Sequence, residues 1–414
     1  MALETNRRRF LELTAGAVGL SAVGGCATKA TYRVEPGLAL GESYDLPTDS
    51  FDPWVEVLSG GYRNNVREVS RLAGGRPILA VVKNNAYGIG DQTVGPLMNG
   101  FPEIGGIACV RVQEALAMRE AGVDKPMLVM AEVSEPEMEL LARHDVASSV
   151  WLDDSPAKVE RVARRLGRPV PVQPYIDSGM GREGMPYKRA KPWLAELCSS
   201  DAANVVGTYT MFVHEEEFDR VQLARFEEII SWARGRGLEL GRLHSSPTFE
   251  VFKLPDAHMD MVRPGNALFG NYPSAEGARQ MADLRPVFRL NTRLIRVERL
   301  EPGESAGFYR SFVADSPTWI ALLPIGHTDG YPPTARGTCE VLINNRLYPV
   351  IAGPNSAHTV LNIGAEKTVE VGDVATLIGP DHDAILPHTV CERTGVRFLA
   401  LITKLNARLR RRVV

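Results

Sequence analysis

The chain has 414 residues, 44% hydrophobic and 23% charged, an ordinary globular composition with enough apolar material for one large core or two smaller ones, so two domains are expected. Lys plus Arg number 47 against 50 Asp plus Glu; no field of either sign steers the protein onto nucleic acid or an anionic membrane, and a small-molecule substrate fits better. The five cysteines, Cys26, Cys109, Cys198, Cys339 and Cys391, include no CxxC pair, which argues against a structural zinc site and a disulfide framework, and no metal is expected.

In chain order, the first segment reads as an address. Asn6-Arg7-Arg8-Arg9-Phe10-Leu11 sets paired arginines before an aromatic–Leu step, and residues 13–23 form a small-residue-rich apolar stretch too short to span a bilayer as a stable helix. The arrangement resembles a twin-arginine export signal, an address usually given to proteins that fold before translocation. Val23-Gly24-Gly25-Cys26 resembles a lipoprotein cleavage box with Cys26 acylated. Residues 1–26 are therefore expected to be a signal peptide and residues 27–50, rich in Gly, Pro, Ser and Thr without periodicity, a linker. The expected product is periplasmic, with a lipid anchor at Cys26.

From residue 51 short β-branched runs alternate with helical patterns. Strands are predicted at 78–82, 104–110, 127–130, 148–152, 172–176, 205–210, 242–244 and 261–263, with helices including 112–121, 135–144, 157–166 and 218–236. Eight βα units within 51–284 predict an α/β architecture, a (β/α)8 TIM-type barrel whose site lies at the C-terminal ends of its strands; an open doubly wound sheet is the alternative that the strand count disfavours. Past residue 285 the texture changes. Residues 287–297 alternate apolar and polar, and apolar runs at 319–325, 339–343 and 347–351 are separated by turn chemistry such as Glu301-Pro302-Gly303, Asp329-Gly330 and Asn344-Asn345. A C-terminal, mostly antiparallel β domain is expected over 285–414.

The sharpest local signal is Ala80-Val81-Val82-Lys83-Asn84-Asn85-Ala86-Tyr87-Gly88-Ile89-Gly90. A lysine at the end of a buried strand stands at the barrel mouth in a partly desolvated pocket; desolvation lowers its pKa and frees the amine to attack a carbonyl, as Schiff-base chemistry requires. Taken alone, a strand-terminal lysine is more often a surface salt-bridge partner.

Four segments in order then carry a resemblance. Lys83 to Gly88, Asp177-Ser178-Gly179-Met180-Gly181-Arg182, Arg263-Pro264-Gly265-Asn266-Ala267-Leu268-Phe269-Gly270 and Pro324-Ile325-Gly326-His327-Thr328-Asp329-Gly330-Tyr331-Pro332 resemble, respectively, the cofactor-lysine, D-T-G-M-G-R, R-P-G-I-A-L-Y-G and P-x-G-Y-A-D-G-Y-P elements of the alanine racemase family. The resemblance covers about residues 51–365 and implies a pyridoxal 5′-phosphate (PLP) enzyme, a head-to-tail homodimer with shared active sites, and an amino-acid substrate. Carried over by position, it implies that Lys83 holds PLP as a Schiff base and serves one face of the substrate Cα. Tyr87 and the backbone around Gly265 and Asn266 bind the cofactor phosphate, Arg263 faces the pyridine nitrogen, and Arg182 lies near the substrate carboxylate.

The sequence also departs from the pattern. Family H-F-A-T reads Met211-Phe212-Val213-His214, so the histidine is absent or moved; H-A-A-N-S reads His244-Ser245-Ser246-Pro247-Thr248, leaving Thr248 as the phosphate-binding hydroxyl. Tyr175 replaces a lysine, the late phosphate-binding tyrosine aligns with Val396, and the substrate loop V-C-M-D reads Pro354-Asn355-Ser356-Ala357, which offers Ser356 to the substrate. The segment S-Y-G-x-T-Y aligns with Gly307-Phe308-Tyr309-Arg310-Ser311-Phe312, putting Phe308 where the second catalytic base belongs and Tyr309 one residue later. A one-residue slip in a strand turns a side chain to the other face, and a bulge or loop restores it; on that basis Tyr309 is the expected second base. The function implied is racemisation of alanine or a broader range of amino acids. The alternatives are one-base PLP chemistry (transamination, elimination or exchange) and a non-catalytic binding protein.

Overall fold

The computed structural model of the protein describes Pro47 and residues 49–414; the expected signal peptide, Cys26 and nearly all of the 27–50 linker lie outside the described residues. Strands Ile78–Val81, Ile104–Cys109, Met127–Val129, Val146–Val150, Val170–Pro174 and Ala203–Val205 form one parallel sheet in that order. The first and fourth of these are buried along their whole length, as parallel strands covered on both faces must be. A bridge from Tyr175 to Tyr209 joins this sheet to the parallel pair Gly207–Tyr209 and Arg242–His244. Bridges from His244 to Met261 and from Ile78 to Val262 then close the circle. The barrel is thus the (β/α)8 type, with its last strand reduced to bridging residues.

The run expected as a single strand at 205–210 is two, broken at Val206. Ala203–Val205 pairs with Val170–Pro174 and Gly207–Tyr209 with Arg242–His244. Between strands the helices behave as their patterns dictate. Ser155–Leu166 buries Ser155, Val159, Val162 and Ala163 at helical spacing. Glu135–Arg143 opens on a capping box in which the Ser134 N–H donates to Glu137 at 2.8 Å.

The second architecture is a nine-stranded sheet. Its order is Arg296–Leu300, Thr318–Leu323, Thr359–Gly364, Arg346–Ala352, Glu340–Ile343, Val374–Ile378, Phe288–Arg293, Trp54–Val57 and Arg410–Val413. One expectation is corrected here. Trp54–Val57, assigned to the barrel segment 51–284, lies in this sheet, antiparallel to Phe288–Arg293 and parallel to Arg410–Val413. No cut at 284/285 separates the domains, because a strand's partner is set by proximity in space. The alternating run 287–297 also turns at Leu294 and Ile295 into two strands that are not neighbours. No helix among the described residues is long and apolar enough to cross a membrane.

Candidate active site

A cavity of about 490 Å³ opens at the C-terminal ends of the barrel strands, and Lys83 lines it. After Ile78–Val81 the chain enters a left-handed run: φ is 56° at Asn84, 55° at Asn85, 49° at Ala86, 53° at Tyr87 and 93° at Gly88. Left-handed residues other than glycine cost roughly 1–2 kcal/mol each, so surrounding contacts must impose this turn. The Glu114 carboxylate accepts from Asn85 N at 3.0 Å, Val110 N at 3.2 Å and Arg111 N at 3.1 Å. Arg411, from the far end of the chain, donates to the carbonyls of Gly88 at 3.0 Å and Ile89 at 3.1 Å. At Gly88 a Cβ would lie 2.1 Å from the Ile402 carbonyl oxygen, so only glycine fits. Burial, then the charges of Arg182 and Arg263, pull the Lys83 amine below the usual lysine range. Its neutral, nucleophilic form is therefore populated at lower pH than in a free lysine.

Beside the lysine lies a cradle of donors. Tyr87 is buried edge-on against Phe269 with ring centroids 4.8 Å apart. Its hydroxyl passes so close to Gly265 that a Cβ there would sit 2.3 Å from Oη. Thr248 Oγ1 accepts from Ala267 N at 3.2 Å, and the N–H groups of Gly265 and Asn266 donate to no protein acceptor among the described residues. A buried phenol, a hydroxyl and two unpaired backbone donors on one cavity wall fit a phosphate-sized anion.

Arg263 is 3% exposed and charged, so its donors must be matched. It donates to His244 Nδ1 at 2.6 Å and Thr210 O at 2.9 Å, with its guanidinium 4.7 Å from the Tyr209 ring centroid. Burial and then Arg263 hold His244 well below the usual imidazole range, so its neutral ring accepts at Nδ1 and donates from Nε2 to Gln173 Oε1 at 2.8 Å. His244 is one end of a stack with Tyr209 and Tyr175, centroids 4.9 and 4.4 Å apart. The stack replaces what sequence reading saw only as a lysine changed to Tyr175. Its trace in the sequence is an aromatic at or just beyond the end of three strands.

Arg182 sits on the loop closed by the short pair Ile176–Asp177 and Met185–Pro186. The Asp177 carboxylate organises that loop, accepting from the N–H groups of Gly179, Met180 and Gly181 at 2.9, 2.7 and 3.0 Å. Arg182 is exposed beside Glu183, 3.5 Å away. The structure thus brings together Lys83, Tyr87, Arg182, Thr248, Arg263, Gly265 and Asn266 in one cavity.

Tyr309 and Ser356 do not line it. Tyr309 is fully exposed in the loop between Ser305–Ala306 and Phe312–Val313, and both it and Arg310 have positive φ, 57° and 52°. The segment is a loop and not a strand, so the parity of strand faces does not decide between Phe308 and Tyr309. Ser356 is exposed, its carbonyl taken by the N–H and hydroxyl of Thr328 at 3.3 and 2.5 Å. Sequence reading missed several wall residues, among them Tyr209, His214, Phe249, Tyr272 and Leu399. Tyr272 and Leu399 carry no motif signal and reach the wall only through folding.

Two family models match the chain, "Alanine racemase, N-terminal domain" over residues 60–273 and "Alanine racemase, C-terminal domain" over 287–413. Among curated relatives, the alanine racemase of Syntrophobacter fumaroxidans is 33% identical over 334 residues, 79% of this chain and 88% of that protein. That of Carboxydothermus hydrogenoformans is 28% identical over 365 residues, 86% and 98% of the two chains. Among solved structures, the alanine racemase of Bacillus anthracis with bound L-Ala-P superposes with a TM-score of 0.78 at 26% identity, covering 89% of this chain and 96% of that one. The enzyme of Clostridium difficile 630 gives 0.81 at 22% identity, covering 88% and 96%, a likeness of fold.

Proposed function

The chain belongs to the alanine racemase family, and from that premise we propose that it interconverts the L and D forms of alanine or of a broader range of amino acids. It is a PLP-dependent racemase. The observation that carries the reading is the desolvated Lys83 on its imposed left-handed turn, beside a cradle built for an anion.

When bound, PLP supplies the electron sink that acidifies the substrate Cα–H. Lys83 Nζ would hold it and would move the substrate Cα proton on one face. Tyr87 Oη, the Thr248 hydroxyl and the N–H groups of Gly265 and Asn266 take its phosphate. Arg263, locked by His244 and Thr210, would face the cofactor ring as a donor that gives up no proton at neutral pH. Arg182 binds the substrate carboxylate. Racemisation needs a second acid–base group, which we assign to Tyr309 of the partner subunit in a homodimer; in its own chain Tyr309 is fully exposed, as a residue reserved for a neighbour would be.

Purified protein incubated with L- or D-alanine and followed by chiral chromatography tests this reading. Interconversion, together with borohydride fixation of the cofactor on the peptide containing Lys83, supports it. A protein labelled at Lys83 that produces keto acid, or only exchanges its Cα proton, has one-base chemistry instead.

Arg7-Arg8 and Cys26 support twin-arginine export and lipid attachment in the periplasm. Changing both arginines to lysine should trap precursor in the cytoplasm, and Cys26→Ala should release the protein from the membrane fraction. Unchanged fractionation in both variants would leave the segment without either role.

A further inference from the structure

The cavity wall carries a titratable side chain that none of these roles uses, His214. It lies three residues beyond Met211, which stands where the family pattern has histidine. Its backbone is left-handed, φ 65°, a conformation that His and Asn adopt more readily than most residues. Nδ1 donates to Glu250 Oε1 at 2.8 Å, and the ring tilts against Phe249 with centroids 5.5 Å apart. Glu250, on the helix Thr248–Lys253, is fully buried, and its Oε2 has no hydrogen-bond partner. The imidazole thus relieves a carboxylate closed off from water, whose other titratable neighbour is the buried Asp219 carboxyl. His214 itself is 41% exposed at the side chain, and its Nε2 has no protein partner among the described residues.

The groups that face this imidazole are Glu250, Asp219 from the helix Glu216–Arg234, and Arg182. The hydrogen bond from Glu250 raises the imidazole's pKa; burial opposes it, Asp219 adds to it and Arg182 subtracts. Burial raises the Glu250 carboxyl against the pull of His214. Both shifts act in one sense: the pair keeps a shared proton to higher pH than a free imidazole would. One end of the pair is sealed in the protein and the other meets cavity and solvent.

We propose that the His214–Glu250 pair is the proton port of this site, exchanging protons between cavity and solvent so that Lys83 and the group opposite it regain their starting protonation after each turnover. The proposal rests on the racemase reading. In two-base racemisation one group takes the Cα proton and another returns a proton from the opposite side, so each turnover leaves the first group one proton richer and the second one poorer. His214 Nε2 takes up the surplus by way of solvent and restores the deficit. No electrons move, and the proton count closes.

His214→Asn tests it, because asparagine tolerates the left-handed backbone and can still donate to Glu250 but does not titrate. In dilute buffer kcat should fall by about 10²-fold, the lower range for a positioned acid–base group. KM and the borohydride-fixed label at Lys83 should stay as in wild type, and added imidazole should restore kcat. In cofactor-free protein, NMR titration should give a His214 midpoint that drops in Glu250→Gln. The kcat loss of Glu250→Gln should deepen as pH rises, because the protonated imidazole becomes scarce. His214→Asn turning over at the wild-type rate in dilute buffer, a loss that imidazole does not repair, or a midpoint that Glu250→Gln leaves in place would each overturn the port. Wild-type protein that carries the Lys83 label and does not racemise would overturn the racemase reading along with it.

Discussion

Lys83 opens the left-handed turn that Glu114 holds at Asn85, and each residue yields a measurement. Because burial lowers the Lys83 pKa and only the neutral amine attacks PLP, capture of PLP by cofactor-free protein should speed up with pH. Its midpoint should lie below the free lysine value of about 10.4, as stopped-flow absorbance would record. Linkage gives the matching sign for stability. Between the lowered folded pKa and the unfolded one, the folded chain binds fewer protons, so cofactor-free protein gains stability as pH rises through that window. A capture midpoint at or above the free amine's would contradict both statements. Glu114 is buried with three backbone N–H groups on its carboxylate. Glu114→Ala should cost about 1–3 kcal/mol for each donor left dry, and Glu114→Gln, which keeps one acceptor oxygen, should cost less. Urea melts of the two variants should separate them in that order.

At the level of elements, the strand Arg410–Val413 matters to the site although it contributes no wall residue. It pairs in parallel with Trp54–Val57 and sends Arg411 to the carbonyls of Gly88 and Ile89, so a strand of the β sheet clamps the lysine turn of the barrel. Arg411→Met keeps the apolar stem and removes the donors. We expect unchanged far-UV circular dichroism and PLP affinity weakened about tenfold, which corresponds to about 1.4 kcal/mol and is at the low end for hydrogen bonds from a charged donor. Equal PLP affinity in Arg411→Met and wild type would mean that the turn holds itself.

For the whole molecule, the expected homodimer has a consequence that neither subunit shows alone. If each cavity takes Lys83 from one chain and Tyr309 from the other, Lys83→Ala and Tyr309→Phe proteins are each deficient, yet their mixed dimer contains one complete site. Refolding the two variants together should recover racemisation that neither has by itself. Simple addition of the two residual activities would show that Tyr309 serves no neighbouring site.

The alternation of β-branched runs with amphipathic helices determined the barrel, because it follows from local spacing, and the resemblance of four short motifs to a known family implied which residues at its mouth do chemistry. Lys83 was legible from its place at a strand end, whereas Tyr87, Arg182, Thr248, Arg263, Gly265 and Asn266 were named through the family resemblance; the structure sets all seven on one cavity wall. The tertiary structure alone decided that Trp54–Val57 belongs to the C-terminal sheet, that Arg411 reaches the lysine turn, and that Tyr175, Tyr209 and His244 stack beside Arg263. It also decided that His214 meets Glu250, 36 residues away, and that Tyr309 lies in a loop where strand parity does not apply. These are contacts between segments distant in the chain. Periodicity reports which face of an element is apolar, whereas the identity of the neighbour on that face is set only when the elements pack.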